Sequence, residues 1–366
     1  MNKKLLAVAV ASALALPGVA LAQSSVTISG NLKMSFGNHK ISNPAAARVG
    51  NTSETRMTDD SSRIVFNVRE DLGSGLAAIG QFDWRIGVDS GADVANGNNH
   101  VGLQSKSWGR IFMGRQDLHY FNTSSDLLVF ADLKAASWNL ISFVANGAPV
   151  ANTSRTPNVV HYTTPNWGGF SAILAYSTSP TGAVEGDLGT ATRKGSGWNF
   201  QPVLQGSNYQ IGWSHWDAKP DGTLANQRSD RLFGYYAWGG LKVGLAWDKS
   251  RIKNAAGTAD AFNRTAWLIP IKYGWGPHNL FLDYSRAGDD KVVGGNSGAK
   301  MLSLAYAYSL SKRTSVALTY SKISNETNAA YHLFNEVNPQ IGVGAGATIA
   351  AGEDPRLMSV TVKHAF

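Results

Sequence analysis

The chain has no cysteine. Disulfides and thiolate metal sites are therefore excluded, and an oxidising compartment poses no hazard to it. No stretch after Ala22 approaches the ~20 consecutive apolar residues that a membrane-crossing helix requires, so helical spanning is excluded too. A GxSxG nucleophile elbow is also missing. His119, His161, His215, His278 and His364 stand among abundant serines with no pattern that selects a pair, and no catalytic residue is assigned. His215 and Asp217 have same-face spacing on a strand but lack a third ligand, so neither metal nor cofactor is expected. Lysines and arginines are dispersed, as at Ser311-Lys312-Arg313, with no continuous patch of the kind that binds nucleic acid.

What is present begins with an export signal. Lys3 and Lys4 precede an apolar run from Leu5 to Leu16, a break at Pro17-Gly18, and the small pair Ala20 and Ala22. Residues 1–22 are expected to be removed, leaving Gln23 to Phe366. The leader carries two lysines and no acid, so 33 basic residues become 31 against 25 acidic ones, a formal +6. The chain holds 39 Gly, 11 Trp, 12 Tyr and 14 Phe, which suits strands, tight turns and interfacial girdles.

Both ends of the mature chain alternate with period two. Val26, Ile28, Leu32, Met34 and Phe36 share one face near the start, as do Met358, Val360, Val362, His364 and Phe366 at the end. Between them, pairs of alternating segments joined by tight turns recur, separated by longer polar stretches. Seven such hairpins are predicted: Ser62 to Val88, Asn99 to Arg115, Asn158 to Ser177, Trp198 to Trp216, Asp230 to Lys249, Asn263 to Arg286, and Lys300 to Lys322. Their fourteen strands, with Ser25 to Phe36 and Arg356 to Phe366 pairing to close the sheet, make sixteen. Pro202 interrupts one of them, and Asn325 to Pro355 is polar and patternless. The expected fold is an all-β transmembrane antiparallel barrel with short periplasmic turns and long external loops. At about 16 strands, such a barrel is too wide for its own side chains to fill.

The segments SSVTISGNL, SSRIVFNVREDLGSGLAA, WGRIFMGRQ, TPNWGGFSA, SLSKRTSVALTYSK and VKHAF, in this order over nearly the whole mature chain, resemble the Gram-negative general porins of beta-proteobacterial type. The resemblance implies a sixteen-stranded outer-membrane barrel, a homotrimer, that admits small polar or anionic solutes by passive diffusion with a mild anion preference. It implies contact with outer-membrane lipids and lipopolysaccharide. It also makes the final Phe366 a recognition signal for the outer-membrane assembly machinery.

One connection, Gln116 to Thr156, spans roughly forty residues without periodicity, a length that is usually functional or disordered. The resemblance matches it to the third external loop of porins, which folds into the lumen and narrows it. Alternation assigns the charges: if Ile64, Phe66, Val68, Phe82 and Trp84 meet lipid, then Arg63, Arg69, Asp83 and Arg85 face water. By motif, Arg63, Arg155 and Arg115 match family residues at the constriction, although strand parity points Arg115 outward unless the strand bends at Gly114. Family members that select anions often carry another arginine just before the fourth strand, where this chain has Gly97, Asn98, Asn99 and His100. Asp126 and Asp132 on the loop are expected to face the basic wall, setting a transverse field that favours polar solutes. Two rival readings remain at this point: a channel selective for small organic or aromatic acids, and a plugged structural or adhesive barrel.

Overall fold

A computed structural model describes residues 24–46, 51–119, 155–180, 195–219, 226–254, 256–333 and 349–366. The expected leader, residues 1–22, lies outside them. The first strands are β1 (Ser24–Ile41), β2 (Ser53–Asp59), β3 (Arg63–Gly73), β4 (Leu76–Ile86), the two-residue β5 (Asp93–Val94), β6 (Asn99–Ser105) and β7 (Gly109–Gln116). Next come β8 (Thr156–Thr163), β9 (Phe170–Ser177), β10 (Ser196–Gln205), β11 (Tyr209–Lys219) and β12 (Gln227–Trp238). The last six are β13 (Leu241–Lys253), β14 (Asp260–Trp275), β15 (His278–Ala287), β16 (Ala299–Ser309), β17 (Thr314–Asn325) and β18 (Pro355–Ala365).

All neighbours pair antiparallel, and β1 pairs with β18 on one side and with β2 and β3 on the other, so the sheet closes. Residues 34–40 of β1 face β2 and residues 24–31 face β3, which makes β2 and β3 two halves of one stave. With β5 only a short addition to β4, the barrel has sixteen staves, as the alternation predicted. All seven predicted hairpins are present.

Burial runs opposite to that of a water-soluble protein. Met358 is 67% exposed on the outer face, whereas its neighbour but two, Thr361, is 1% exposed on the inner. The same alternation puts Leu318, Leu304 and Phe36 outside and Ser321, Ser303 and Ser35 inside. Hydrocarbon takes the apolar set and the interior takes the polar one.

Two prolines are accommodated by the same device. The β10–β11 ladder skips Gln201 and Pro202, while Pro202 still sits opposite Ala172 of β9. Likewise Pro270 of β14 falls in a gap of the β13 ladder but opposes Asp283 of β15. A proline lacks only the donor toward one neighbour, so one ladder is spared in each case.

Between β2 and β3, Asp60, Ser61 and Ser62 oppose only two residues of β1, since Met34 faces Asp59 and Asn31 faces Arg63. The Asp59 carboxylate accepts the Ser61 and Ser62 amides at 2.9 and 3.1 Å, and Ser62 Oγ accepts the Lys33 amide at 2.9 Å. Ser61 adopts φ +76°, a left-handed conformation rare outside glycine. The extra residue reverses parity along the stave: Met57 points out on the β2 side, yet Val68 points out on the β3 side. Arg63 therefore faces the interior because of this bulge.

Deleting Ser61 should force one half of the stave to present its polar set to lipid, at about 2 to 4 kcal/mol for each arginine near the midplane. The expected outcome is loss of the folded, detergent-resistant species in heat-modifiable gel mobility. A deletion variant that folds as well as the parent would show that the bulge does not set the facing of Arg63.

Candidate functional site

The inner wall of β3 and β4 carries Arg63 and Arg85 directly opposite each other. Both hold Asp83: Arg85 Nε lies 3.1 Å from Oδ1, and Arg63 Nη1 lies 3.7 Å from Oδ2. Arg85 also donates to Ser61 Oγ at 2.6 Å, so the bulge anchors the guanidinium as well as turning the strand. Asp83 is buried at 2% while the Arg63 side chain is 31% exposed. Two cations around one sealed anion leave this wall net positive toward the lumen.

The segment before β6 is folded against the same carboxylate. The Gly97 amide donates to the Asp83 carbonyl at 3.1 Å, and a Cβ on Gly97 would fall 2.1 Å from Asp83 Cγ. No side chain fits there. A side chain as large as arginine is excluded at that position by packing.

Arg69 shares the inner face with Arg63 but sits six residues along the stave, about 20 Å toward the short-turn end. It donates to Gln104 Oε1 of β6 at 3.2 Å. Alternation gave its face correctly but says nothing of its height, so Arg69 is separated from the Arg63–Arg85 pair. Nearby Arg110 of β7, which the sequence reading missed, donates to Thr163 Oγ1 at 3.3 Å and lies 5.5 Å over the Phe112 ring. Phe112 is itself stacked between His100 and His161, at 4.2 and 4.3 Å. Arg69 and Arg110 are exposed, and neither has a carboxylate within 4.0 Å among the described residues.

Arg155 and Asp117 stand at the two roots of the long connection, with Nε and Oδ2 3.4 Å apart. They clasp its neck. The Asp117 amide donates to Asn98 Oδ1 at 2.8 Å, tying the neck to the segment over Asp83. The β7–β8 register shifts between Gly114 and Gln116, the irregularity that parity required for Arg115, whose Nε donates to the Asn96 carbonyl at 3.2 Å. Asp126 and Asp132 lie outside the described residues.

The described root of this connection turns into the barrel. Leu118 packs on the inward residues Val159, Ala175, Trp216 and Ala218 of β8, β9 and β11. His119 goes further, with Nδ1 2.9 Å from Ser214 Oγ and Nε2 3.5 Å from Asp248 Oδ2. Asp248 also takes Arg231 Nε at 3.0 Å and the hydroxyls of Ser229 and Ser250. Ser214, His119 and Asp248 stand in line like a hydrolytic relay, yet all three are sealed and Ser214 Oγ already accepts Asn199 Nδ2 at 2.9 Å. No substrate carbonyl can reach the serine. Trp216 is part of this internal packing, whereas Trp213 faces outward.

A second inward segment follows β17. Ala329, Tyr331 and Leu333 cover the inward apolar side chains Leu268, Met301, Ile323 and Leu357. Tyr331 Oη accepts Arg264 Nη1 at 2.6 Å, and Asn325 Nδ2 donates to the Tyr331 carbonyl at 2.8 Å. Left open, those four side chains would face water at ~25 cal/mol per Å². A patternless polar stretch gave no sign of this role, although apolar residues at inward parity did.

Residues 7–328 match the family model described as Gram-negative porin. An outer membrane porin protein of Bordetella pertussis is 26% identical over 402 aligned residues, covering 94% of this chain and 99% of that protein. Among solved structures, an anion-selective porin from Comamonas acidovorans superposes with a TM-score of 0.76 at 20% identity, over 94% of this chain and 100% of that one. A trimer form of OmpT from Vibrio cholerae gives 0.63 at 12% identity, over 94% and 99%.

Burial pushes the His119 imidazole down to about 4 from its ordinary 6.5, with Arg231 reinforcing the effect and Asp248 opposing it. Above pH ~6.5 the ring is neutral in folded and unfolded chains alike; between ~6.5 and ~4 only the unfolded chain binds the proton, so stability falls on acidification. The loss should approach about 1.4 kcal/mol per pH unit in that window. Thermal unfolding of the barrel at several pH values should show this slope, and His119→Asn should flatten it. Equal slopes in parent and variant would exclude His119 as the cause.

Proposed function

Since the chain belongs to the Gram-negative porin family, we propose that its lumen passes small hydrophilic solutes and ions by passive diffusion, with a mild preference for anions set by its arginine wall. The protein is an outer-membrane porin, a non-enzymatic channel. The anion preference rests on one observation above the rest: on the inner faces of β3, β4 and β7, Arg63, Arg69, Arg85 and Arg110 outnumber the acids Asp83 and Asp71. Asp83 is enclosed by two of those arginines, and Asp71 accepts the Gly73 amide at the short turn. Arginine stays charged at any working pH, so the excess is permanent.

Entry of an anion is favoured electrostatically and that of a cation disfavoured, while water ordered by the ion pairs resists apolar solutes. Salt screens the effect: the Debye length falls from ~10 Å at 0.1 M to ~3 Å at 1 M. The assembly that fits this function is a homotrimer, the form solved for the Vibrio cholerae relative. We further propose that residues 1–22 are an export leader and that Phe366 addresses the chain to the assembly machinery. In the structure, Phe366 exchanges backbone hydrogen bonds with Gly30 of β1 at 3.1 and 3.2 Å.

Reversal potentials across planar bilayers in a potassium chloride gradient test the selectivity. The parent should prefer chloride, most strongly in dilute electrolyte, and Arg63→Ala and Arg155→Ala should each shift the potential toward potassium. An unchanged preference in both variants would remove these residues from the selective site. Saturable block by one organic acid at low concentration would favour a substrate-selective channel, and no conductance at all would favour a plugged barrel.

A further inference from the structure

The sheet closes unevenly at its seam. On one side β1 pairs with β3 from Ser24 onward, and Ser24 opposes Glu70, close to the Gly73-Ser74-Gly75 turn. On the other side its ladder with β18 starts only at Asn31, with one further exchange of backbone hydrogen bonds between Gly30 and Phe366. Residues 24–29 of β1 therefore have a neighbour on one side alone among the described residues. At ~3.4 Å per residue this bare edge is about 20 Å long. Which backbone groups it offers follows from the alternation of an antiparallel ladder. Gly30 turns its N–H and C=O toward β18, and Lys33 turns its C=O the other way, where it accepts the Asp60 amide at 2.9 Å. Even-numbered residues thus face the seam, so Val26 and Ile28 present N–H and C=O groups to the bare side while Thr27 and Ser29 spend theirs on β3.

Proteins usually blunt such an edge with a lysine, a proline or a bulge. This one carries Ser-Ser-Val-Thr-Ile-Ser, without charge or proline and rich in residues that favour strands. Val26 and Ile28 are 63% and 58% exposed, so apolar side chains stand beside the unspent backbone groups. An open edge has no place in hydrocarbon, and its level beside a short turn puts it at the mouth of the barrel. The flank of the step is basic. Next to β18 lies the β16–β17 turn, where the Arg313 carbonyl accepts the Ala365 amide at 2.7 Å. Ser311 Oγ holds that turn by accepting the Arg313 and Thr314 amides at 3.1 and 3.0 Å. Lys312 and Arg313 are exposed, and neither has a carboxylate within 4.0 Å among the described residues. One acid, Glu70, stands opposite Ser24 at the foot of the edge.

We propose that residues 24–29 of β1 are a docking edge for an extended, acidic peptide segment of a periplasmic protein, which adds as a strand and continues the stave of β18. The reading rests on the outer-membrane placement of the barrel, which puts the short turns on the periplasmic side. Backbone bonds to Val26 and Ile28 supply the register, and acids beside Lys312 and Arg313 supply the preference over neutral or basic segments. A second copy of this chain is a poorer occupant, because pairing the edge with its own copy needs a twofold axis, which a homotrimer lacks. The edge persists in the closed barrel, so its partner is one of the finished protein.

The test is amide hydrogen exchange on the assembled protein in mild detergent. The probe is a synthetic peptide of about eight residues that alternates valine with threonine and carries two aspartates at its amino end. Without peptide, Val26 and Ile28 should exchange fast while Thr27 and Ser29 are protected; with peptide, exchange at Val26 and Ile28 should slow about tenfold or more. Ile28→Pro removes a donor from the bare side and spares the β3 ladder, so this variant should fold, conduct and lose the peptide. Lys312→Glu with Arg313→Glu should weaken binding about tenfold, as should lysines in place of the aspartates of the peptide. Should the proline variant fail to fold, the same peptide N-methylated along its backbone should lose its binding to the parent. Protection of Val26 and Ile28 without peptide would hand the edge to a second copy or to another segment of this chain and overturn the proposal. No slowing at these two amides, or equal binding of the N-methylated or the lysine peptide, would overturn it too. Bilayer conductance of the same preparations reports the channel separately, so a silent channel that binds the peptide would count against the pore and not the edge.

Discussion

The backbone hydrogen bonds between β1 and β18 are the constraint from which the rest follows. In hydrocarbon an unpaired amide has no water to turn to, so a sheet in a membrane must have no edge. The ladder from Asn31↔Ala365 to Ile41↔Pro355 removes the last one. Closure at sixteen staves then fixes a circumference too large for inward side chains to fill. A lumen is thus the geometric remainder of satisfying the backbone. Its lining must tolerate water, which explains the inward serines, threonines and aspartates along β15 to β18.

That requirement also explains the inward segments. Some inward positions are apolar, among them Leu268, Met301, Ile323 and Leu357, and others pair with Trp216 or Val159. Each group is covered by chain that leaves the long-loop end and turns back inside: residues 329–333 over the first, Leu118 and His119 over the second. Apolar contact supplies the driving force, and hydrogen bonds and ion pairs of buried charged groups fix the position. Arg231, Asp248 and His119 form one such point, and Arg264 with Tyr331 forms another. Removing one member would leave its partner sealed and uncompensated, which is why such networks specify position more than they add stability.

Much of this was legible in the chain, and the boundary of legibility is physical. Alternation along a strand reports which medium each face meets, so the hairpins and the inward facing of Arg63, Arg69 and Arg85 could be read directly. It carries no information on height. Arg69 therefore looked like a companion of Arg63, although the strand separates them by about 20 Å. The three-for-two bulge at Asp60 to Ser62 is encoded only in local hydrogen bonding, through Asp59 and Ser62, and its effect on parity is invisible in a hydropathy pattern. Arg110, Arg231 and Arg264 were missed for a related reason: an isolated arginine in an alternating strand looks the same whether it will be sealed by a loop or left in water. The signal for the covering loops was nevertheless present, as apolar residues on the inward parity of β14, β16, β17 and β18.

Where the covering ends decides which charges can act on a solute. The inward segments seal the faces of β8 to β14 and β16 to β18, and with them Arg231 and Asp248, paired at 3.0 Å, and Arg264, held against Tyr331. The inner faces of β3, β6 and β7 keep exposed polar side chains, Arg69, Gln104 and Arg110, next to the half-exposed Arg63. An exposed guanidinium without a carboxylate partner projects its charge over a Debye length; a sealed and paired one does not. The charge that solutes meet is therefore set less by the formal total of +8 on the full sequence than by the accident of which wall needs no hydrophobic cover. On this barrel that wall is the one where arginines outnumber acids, so the same burial that orders the loops leaves the uncovered wall basic.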